Sequence, residues 1–417
     1  MGETKEKMRI VQIGGTFIGA QQGIETSIHN YLGNHGDDSY ILYAIGNSED
    51  AGVIKYEHKI QNIIRRTLTK VSDNNPHCSI LSTYRIIVLL KKINPDLVHL
   101  HILHHGYVDY ITLLKYLRKK NIPVVYTMHD MWAFTGGCYY YSSIGCEKFK
   151  TDCSSCTMVR NKLDCSRKHT HHYLKLKKNL FADIDNLAFV SVSEWVNKEF
   201  NQSLLSCYFN TLIWNGIDIN SIPKVRSKQP LKNSEKFRII AVAISWGERK
   251  GILRFIELAN KLDDRFEIVL VGEVAQQYRQ IANKNVIFFG PIDNKDELYE
   301  LEYNADINMS LSSEETFGMT FLEAAMVGTK SIGLNNTAVP QILNILDGFV
   351  VNEMTDTIEL LNRLVLNKSV CKLDDEKIRI IRHDFSSELM AQKYYELYKR
   401  MISQSIGEEP NALDHIN

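Results

Sequence analysis

No uninterrupted apolar run in the 417 residues reaches the roughly 18 that a membrane-spanning helix needs. The opening stretch, MGETKEKMRI, also lacks an apolar core of signal-peptide length, so the expectation is a cytoplasmic protein. Net charge is missing too. The 49 Lys and Arg are balanced by 49 Asp and Glu, which removes the bulk electrostatic argument for a nucleic-acid partner. Internal repeats are absent, and so is low complexity outside a polar tail at 403–417, which is expected to be disordered. What is present is the composition of an ordinary globular chain, 44% hydrophobic and 24% charged. The length is too great for one core and predicts two or three domains.

The chain is organised around LSSEETFGMTFLEAAMVGT, Leu311 to Thr329. Met319, Leu322, Ala325 and Met326 share one face of a predicted helix that starts at Gly318 and stops at Gly328. The first amides of a helix lack backbone partners and its dipole is positive there, which suits an anionic or hydroxyl-rich ligand. Glu315 stands before that start and Glu323 inside it. Both are acceptor-only groups suited to sugar hydroxyls. An acidic loop before an ordinary amphipathic helix reads equally well from these two carboxylates alone.

In the first half, Arg9 to Ile13 is a β-rich run stopping at Gly14-Gly15, with a helix expected from about Gly23 to Leu32. Strand, glycines and helix form the phosphate-approach unit of a doubly wound fold, or a plain tight turn. Arg65, Arg66 and Lys70 are expected on a helix. The run DLVHLH puts His99 and His101 on one face of a strand, more simply as a strand-end pair than as metal ligands. A further strand ends in His129-Asp130, where open α/β sheets bind ligands or where a structural His finds a partner.

Directly after it, Cys138, Cys146, Cys153 and Cys156 fall close together, the last two as Cys-x-x-Cys. In a reducing compartment this spacing fits a structural Zn2+ site, against a redox pair, an oxidised loop or a partial site. Cys165, His169, His171 and His172 could add a ligand. Residues 160–178 form a basic cluster that predicts either a solvated helix face or peripheral contact with anionic lipid. Asp183 and Asp185 read as a turn, and Asn215 to Asp218 as another. A linker is expected over 220–236. In the second half, SWGERKG sets Arg249 and Lys250 at the mouth of a helix, where fixed cations can stabilise a diphosphate leaving group.

Acid-Thr-Phe-Gly, three residues, Leu-Glu-Ala and a small-residue stop together resemble the donor-site signature of glycosyltransferase family 4. These are the retaining group 1 enzymes of GT-B architecture. The resemblance implies an α/β chain of two Rossmann-like doubly wound domains facing an interdomain cleft. Residues 1–219 would be the acceptor domain, with a Cys-rich insertion at 138–165. Residues 220–385 would be the nucleotide-sugar donor domain, and 386–402 a helix returning to the first domain. It further implies that Glu315 contacts the donor sugar near its reacting end. Amides around Phe317, Gly318 and Met319 would hold sugar and phosphate oxygens, and Glu323 the ribose hydroxyls. Gly15 would approach the donor phosphate, the loop from Gly14 to Gly23 would face the acceptor, and His129 would lie near both. Lys250 matches the family's Lys-Gly. The family's upstream Arg falls near Ile244 and Ser245 and is absent, so Arg249 would take its place.

His-Asp-x-Trp-x-Phe-Thr-Gly at 129–136, followed by spaced cysteines, is similar to the colanic acid biosynthesis subset. Thr337, Ala338 and Val339 occupy the loop where such enzymes often set donor specificity. The implied activity is transfer from a UDP- or GDP-sugar to a saccharide or lipid-linked saccharide, as in polysaccharide biosynthesis. No catalytic metal and no nucleic acid are implied. The same architecture serves sugar-nucleotide 2-epimerase-type enzymes and inactive nucleotide-sugar-binding modules.

Overall fold

A computed structural model describes residues 7–57, 61–63, 65, 67–68, 76–223 and 235–406. Arg66, Lys70, most of the expected linker and the tail from 407 onward lie outside the described residues. The chain forms two compact units. The first runs to Gly216 and resumes at Ser387; the second is Ile217–Ser386.

In the first unit a seven-stranded parallel sheet runs in the order Val53–Lys55, Asp38–Tyr43, Arg9–Ile13, Leu97–Leu100, Val124–Met128, Leu187–Ser191 and Phe209–Leu212. Leu97–Leu100, Val124–Met128 and Leu187–Ser191 are buried at every position, as expected of parallel strands covered on both faces. Order reverses beside Arg9–Ile13, the first strand in sequence, so the switch point lies between it and Leu97–Leu100. Local chemistry sets the helix starts. Asp109 accepts from the Ile111 and Thr112 amides, and Ser193 from the Val196 amide.

The helix Ser387–Ile406 is part of this first unit. Met390, Tyr394, Tyr398 and Met401 pack with Ile10, Ile24, Ile28 and Val125 in one core. Its tyrosines also enclose His99. Tyr398 Oη lies 2.6 Å from Nδ1, and Thr127 Oγ1, itself 2.9 Å from Tyr394 Oη, lies 2.7 Å from Nε2.

The second unit has a six-stranded parallel sheet ordered Val286–Gly290, Phe266–Glu273, Phe237–Ser245, Ile307–Ser310, Ser331–Leu334 and Phe349–Val351. Counted from Phe237–Ser245 this is 3-2-1-4-5-6, the doubly wound order, with its switch point between Phe237–Ser245 and Ile307–Ser310. Ile252, Phe255, Ile256 and Ala259 of the helix Ile252–Lys261 pack into its main core with Ile239, Ile268 and Met309. The Ile217 amide donates to the Phe385 carbonyl at 2.9 Å, so the two ends of this unit lie side by side. Among the described residues, no helix is long and apolar enough to cross a membrane.

Candidate active site

In the second unit, the residues singled out by the sequence gather at the carboxyl ends of the two strands flanking the switch point. Phe237–Ser245 leads into Arg249 and Lys250, and Ile307–Ser310 leads into the loop 311–318. Gly251 lets these segments meet. Its φ is +81°, and a Cβ there would lie 2.3 Å from the Leu311 carbonyl oxygen, so a side chain would push the loop away. The Arg249 carbonyl accepts from the Ser313 amide at 2.8 Å, and the Arg249 guanidinium donates to the Glu314 carbonyl at 3.3 Å. Lys250 Nζ is 2.5 Å from Glu315 Oε1. Burial pushes the Glu315 carboxyl up, but Lys250, Arg249 and the Ser312 hydroxyl outweigh it and hold the group below its ordinary value.

Gly318 caps the helix Met319–Met326 with a φ of 93°, in the left-handed region. Phe317 is buried, its ring centroid 6.3 Å from that of Phe385, so its side chain belongs to packing. Thr337 braces the loop from the other side. Its hydroxyl accepts from the Glu315 amide at 3.0 Å, and its own backbone is left-handed at φ 49°. Glu323 is half-buried inside the helix, where burial raises its carboxyl to about 7 despite Lys295. Glu302, from the helix Lys295–Asn304, is fully buried beside it, and among the described residues neither carboxyl oxygen has a hydrogen-bond partner. Burial first and Glu323 second keep Glu302 well above the ordinary carboxyl range. Nothing in KDELYELEYN marks Glu302 as different from its less buried acidic neighbours, and sequence reasoning missed it.

In the first unit, three strand ends bring Gln12, His101 and His129 together. His101 Nδ1 is 3.0 Å from His129 Nε2, and His101 Nε2 is 3.2 Å from Gln12 Oε1. Burial lowers His129 to about 4 even with Asp130 pulling the other way, so the ring is neutral at pH 7. Asp130 binds the His104 ring and accepts from the Trp132 amide at 2.9 Å. Gln12 was the readable signal here, a polar residue in the apolar strand RIVQI, and it was overlooked.

Of the glycines of this half, Gly23 departs from the expected element. Gly14 spends its amide on the Leu42 carbonyl at 3.0 Å, and its carbonyl accepts from Tyr56 Oη at 3.1 Å. Gly15 lies against the Tyr107 ring. Gly23 is inside the helix Gly19–Asn34, not in a loop before it, because the helix begins four residues earlier than the sequence pattern suggests.

The expected zinc tetrad of Cys138, Cys146, Cys153 and Cys156 is not assembled. Among the described residues, no group of three or more His, Cys, Asp or Glu side chains is arranged to hold a metal ion. Cys138, Cys153 and Cys165 are buried around the Lys177 ammonium, whereas Cys146 and Cys156 are half-exposed. Burial pushes the Cys153 thiol up to about 11 and that of Cys165 to about 12, so these sulfurs keep their protons. Lys177 lies 3.9 Å from the Trp132 ring centroid, which takes it out of the basic cluster. Arg167, Lys168, Lys175 and Lys178 stay exposed.

Comparison with known proteins agrees with this geometry. Residues 224–379 match the family described as "Glycosyl transferases group 1", and residues 23–220 match "Glycosyltransferase Family 4". The chain is 23% identical over 353 residues to an Escherichia coli protein named as a colanic acid biosynthesis glycosyl transferase, WcaC, covering 80% of this chain and 85% of that one. Among solved structures it is similar to a sucrose-phosphate synthase from Thermosynechococcus elongatus, with TM-score 0.72, 15% identity and 95% and 100% of the two chains covered. It is also similar to HepE of Anabaena in complex with UDP and glucose, with TM-score 0.63, 14% identity and 94% and 100% covered. Two parallel sheets of doubly wound order, a cation–carboxylate pair at a switch point and these matches together place the chain in the group 1, family 4 glycosyltransferases of GT-B fold.

Proposed function

We propose that the protein is a retaining, metal-independent transferase that moves a sugar from a UDP- or GDP-sugar to a saccharide or lipid-linked saccharide. The observation that carries this reading is the Lys250–Glu315 pair at the switch point of the second unit, with Arg249 beside it. A donor diphosphate brings negative charge that Lys250 and Arg249 are placed to meet. Glu315, released from Lys250, would accept from sugar hydroxyls, with backbone amides around Phe317, Gly318 and Met319 serving sugar and phosphate oxygens. Glu323 would accept from the ribose. In the first unit, His129 would lie near the donor phosphate and the acceptor hydroxyl.

The reaction breaks the bond between the sugar's anomeric carbon and the donor phosphate oxygen. It forms one from the acceptor oxygen to the same face of that carbon, and the acceptor proton passes to the departing phosphate. The likeness to a colanic acid biosynthesis protein and to a UDP-bound structure supports a nucleotide-sugar donor and a role in cell-surface polysaccharide synthesis. The exposed cations of 167–178 would give peripheral contact with an anionic membrane. Incubation with a panel of UDP- and GDP-sugars, following nucleotide release with and without saccharide acceptors, tests the reading. Acceptor-dependent release that Glu323→Ala weakens supports it; conversion of the sugar nucleotide without acceptor, or binding without turnover, overturns it.

A further inference from the structure

We infer that the outer face of the helix Ile80–Ile93 is a docking surface for an anionic lipid bilayer. Leu81, Tyr84 and Val88 enter its headgroup layer, and Arg85, Lys91 and Lys92 meet its phosphates. The helix, ILSTYRIIVLLKKI, has two distinct sides. Ser82, Thr83, Ile86, Ile87 and Leu90 are buried, and the helix packs against Tyr110–Lys119. At about 100° per residue, Leu81, Tyr84, Arg85, Val88, Lys91 and Lys92 fall together within about 120° of the opposite side. Leu81 is 58% exposed, Tyr84 56% and Val88 63%. Among the described residues, no other helix exposes three large apolar side chains. Single exposed apolar residues are ordinary, but a row at i, i+3 and i+7 is a contiguous patch and marks an interaction surface.

Charge selects the occupant. The helix carries no Asp or Glu, and Lys91 and Lys92 are exposed beside the apolar row. Lys120, at the end of the neighbouring helix, lines the same cleft as Lys91 and extends the cationic rim. Arg85 is half-buried, its guanidinium 3.4 Å from Gln61 Oε1. A second copy docked here by a two-fold axis would bring these cations against their own equivalents. An anionic bilayer satisfies both parts of the face, because apolar side chains sink to the acyl boundary while cations stay with the phosphates. The basic segment 167–178 differs. Among the described residues it exposes no large apolar side chain, so it can attract a membrane without entering it. The docking needs no nucleotide-sugar and would hold equally for a binding module of this fold.

Flotation of the full-length protein with lipid vesicles tests this. Binding is expected to phosphatidylcholine mixed with phosphatidylglycerol and not to phosphatidylcholine alone, and it should weaken as salt rises. Leu81→Ser with Val88→Ser should reduce partitioning roughly tenfold, and Lys91→Glu with Lys92→Glu by about the same factor or more. Lys168→Glu with Lys175→Glu should reduce it less. In Val88→Trp, tryptophan emission should shift to the blue on the mixed vesicles, by more than in the parent. No binding to mixed vesicles, or binding that either pair of changes in the helix leaves intact, overturns the assignment. So does sedimentation of the parent as a dimer that Leu81→Ser with Val88→Ser returns to a monomer, which gives this face to a second copy. If the double serine variant does not fold, Val88→Trp decides, and an unshifted emission overturns the assignment.

Discussion

Lys250 and Glu315 show what a pair can do that neither residue does alone. The Glu315 side chain is 15% exposed and would be driven toward its neutral form by burial if Lys250 were absent. Its carboxyl is lowered in the fold, so it contributes stability above the unfolded value of about 4.3 and loses it as pH falls through the folded value. Lys250→Ala should therefore cost about 1–3 kcal/mol at pH 7 and little at acid pH, as read by urea unfolding at both. The same change should lower kcat for nucleotide release by about a hundredfold or more, since the cation proposed to meet the leaving group is lost. The sign reverses for Glu302 and Glu323. Both are raised, so their stability is full below about 4.3 and is lost as pH rises through the folded value, about 7 for Glu323. Glu302→Gln should relieve this, gaining about 1–2 kcal/mol on the parent between pH 5 and pH 8 in the same measurement. At this scale Glu315, Glu323 and Lys250 were legible because they stand in a spaced motif. Glu302 was not, because only the packing of two helices makes its environment unlike that of any other acid in its helix.

Elements carry the next constraint. Lys250 reaches Glu315 because Gly251 lets the start of one helix touch the strand-end loop of another. Gly251→Ala places a Cβ against the Leu311 carbonyl in a left-handed backbone, so a loss of about 1–3 kcal/mol and a collapse of transfer activity are expected from thermal unfolding and nucleotide-release assays. The cysteine-rich segment Cys138–Cys165 is an element of a different kind. With Cys138, Cys153 and Cys165 buried around Lys177, chelator treatment should leave the melting temperature unchanged, and Cys207, which is exposed, should react with thiol reagents before the buried three. Spacing alone suggested a tetrahedral cage, since four nearby thiols in sequence look the same whether or not they converge. The helix Ile80–Ile93 and the pair Met354–Leu364 and Asp375–Asp384 were not anticipated at all. The burial that stabilises them depends on distant partners.

For the whole molecule, the decisive feature is that the chain leaves the first unit at Gly216 and comes back at Ser387. Met390, Tyr394, Tyr398 and Met401 complete a core begun by Ile10 and Ile24 at the other end of the sequence. Each large buried side chain contributes roughly 1.5–3 kcal/mol, and a domain's net stability is only about 5–15 kcal/mol. A chain ending at Ser386 should therefore lose the cooperative unfolding of the first unit while keeping that of the second, which calorimetry on the truncated and full chains would resolve.

Strand runs, glycine loops and the Glu315–Glu323 spacing are local, so the residues alone determined the α/β class, the doubly wound pattern and the family resemblance. Hydrophobic period and motif spacing need no knowledge of what packs against them. Which histidine is enclosed and which reaches a strand end, which carboxyl lies unpartnered among the described residues beside Glu323, and which cysteines are buried near Lys177 were decided only by tertiary structure. Those outcomes depend on burial and on partners as far off as Tyr398 from His99, and a one-dimensional pattern carries no record of desolvation.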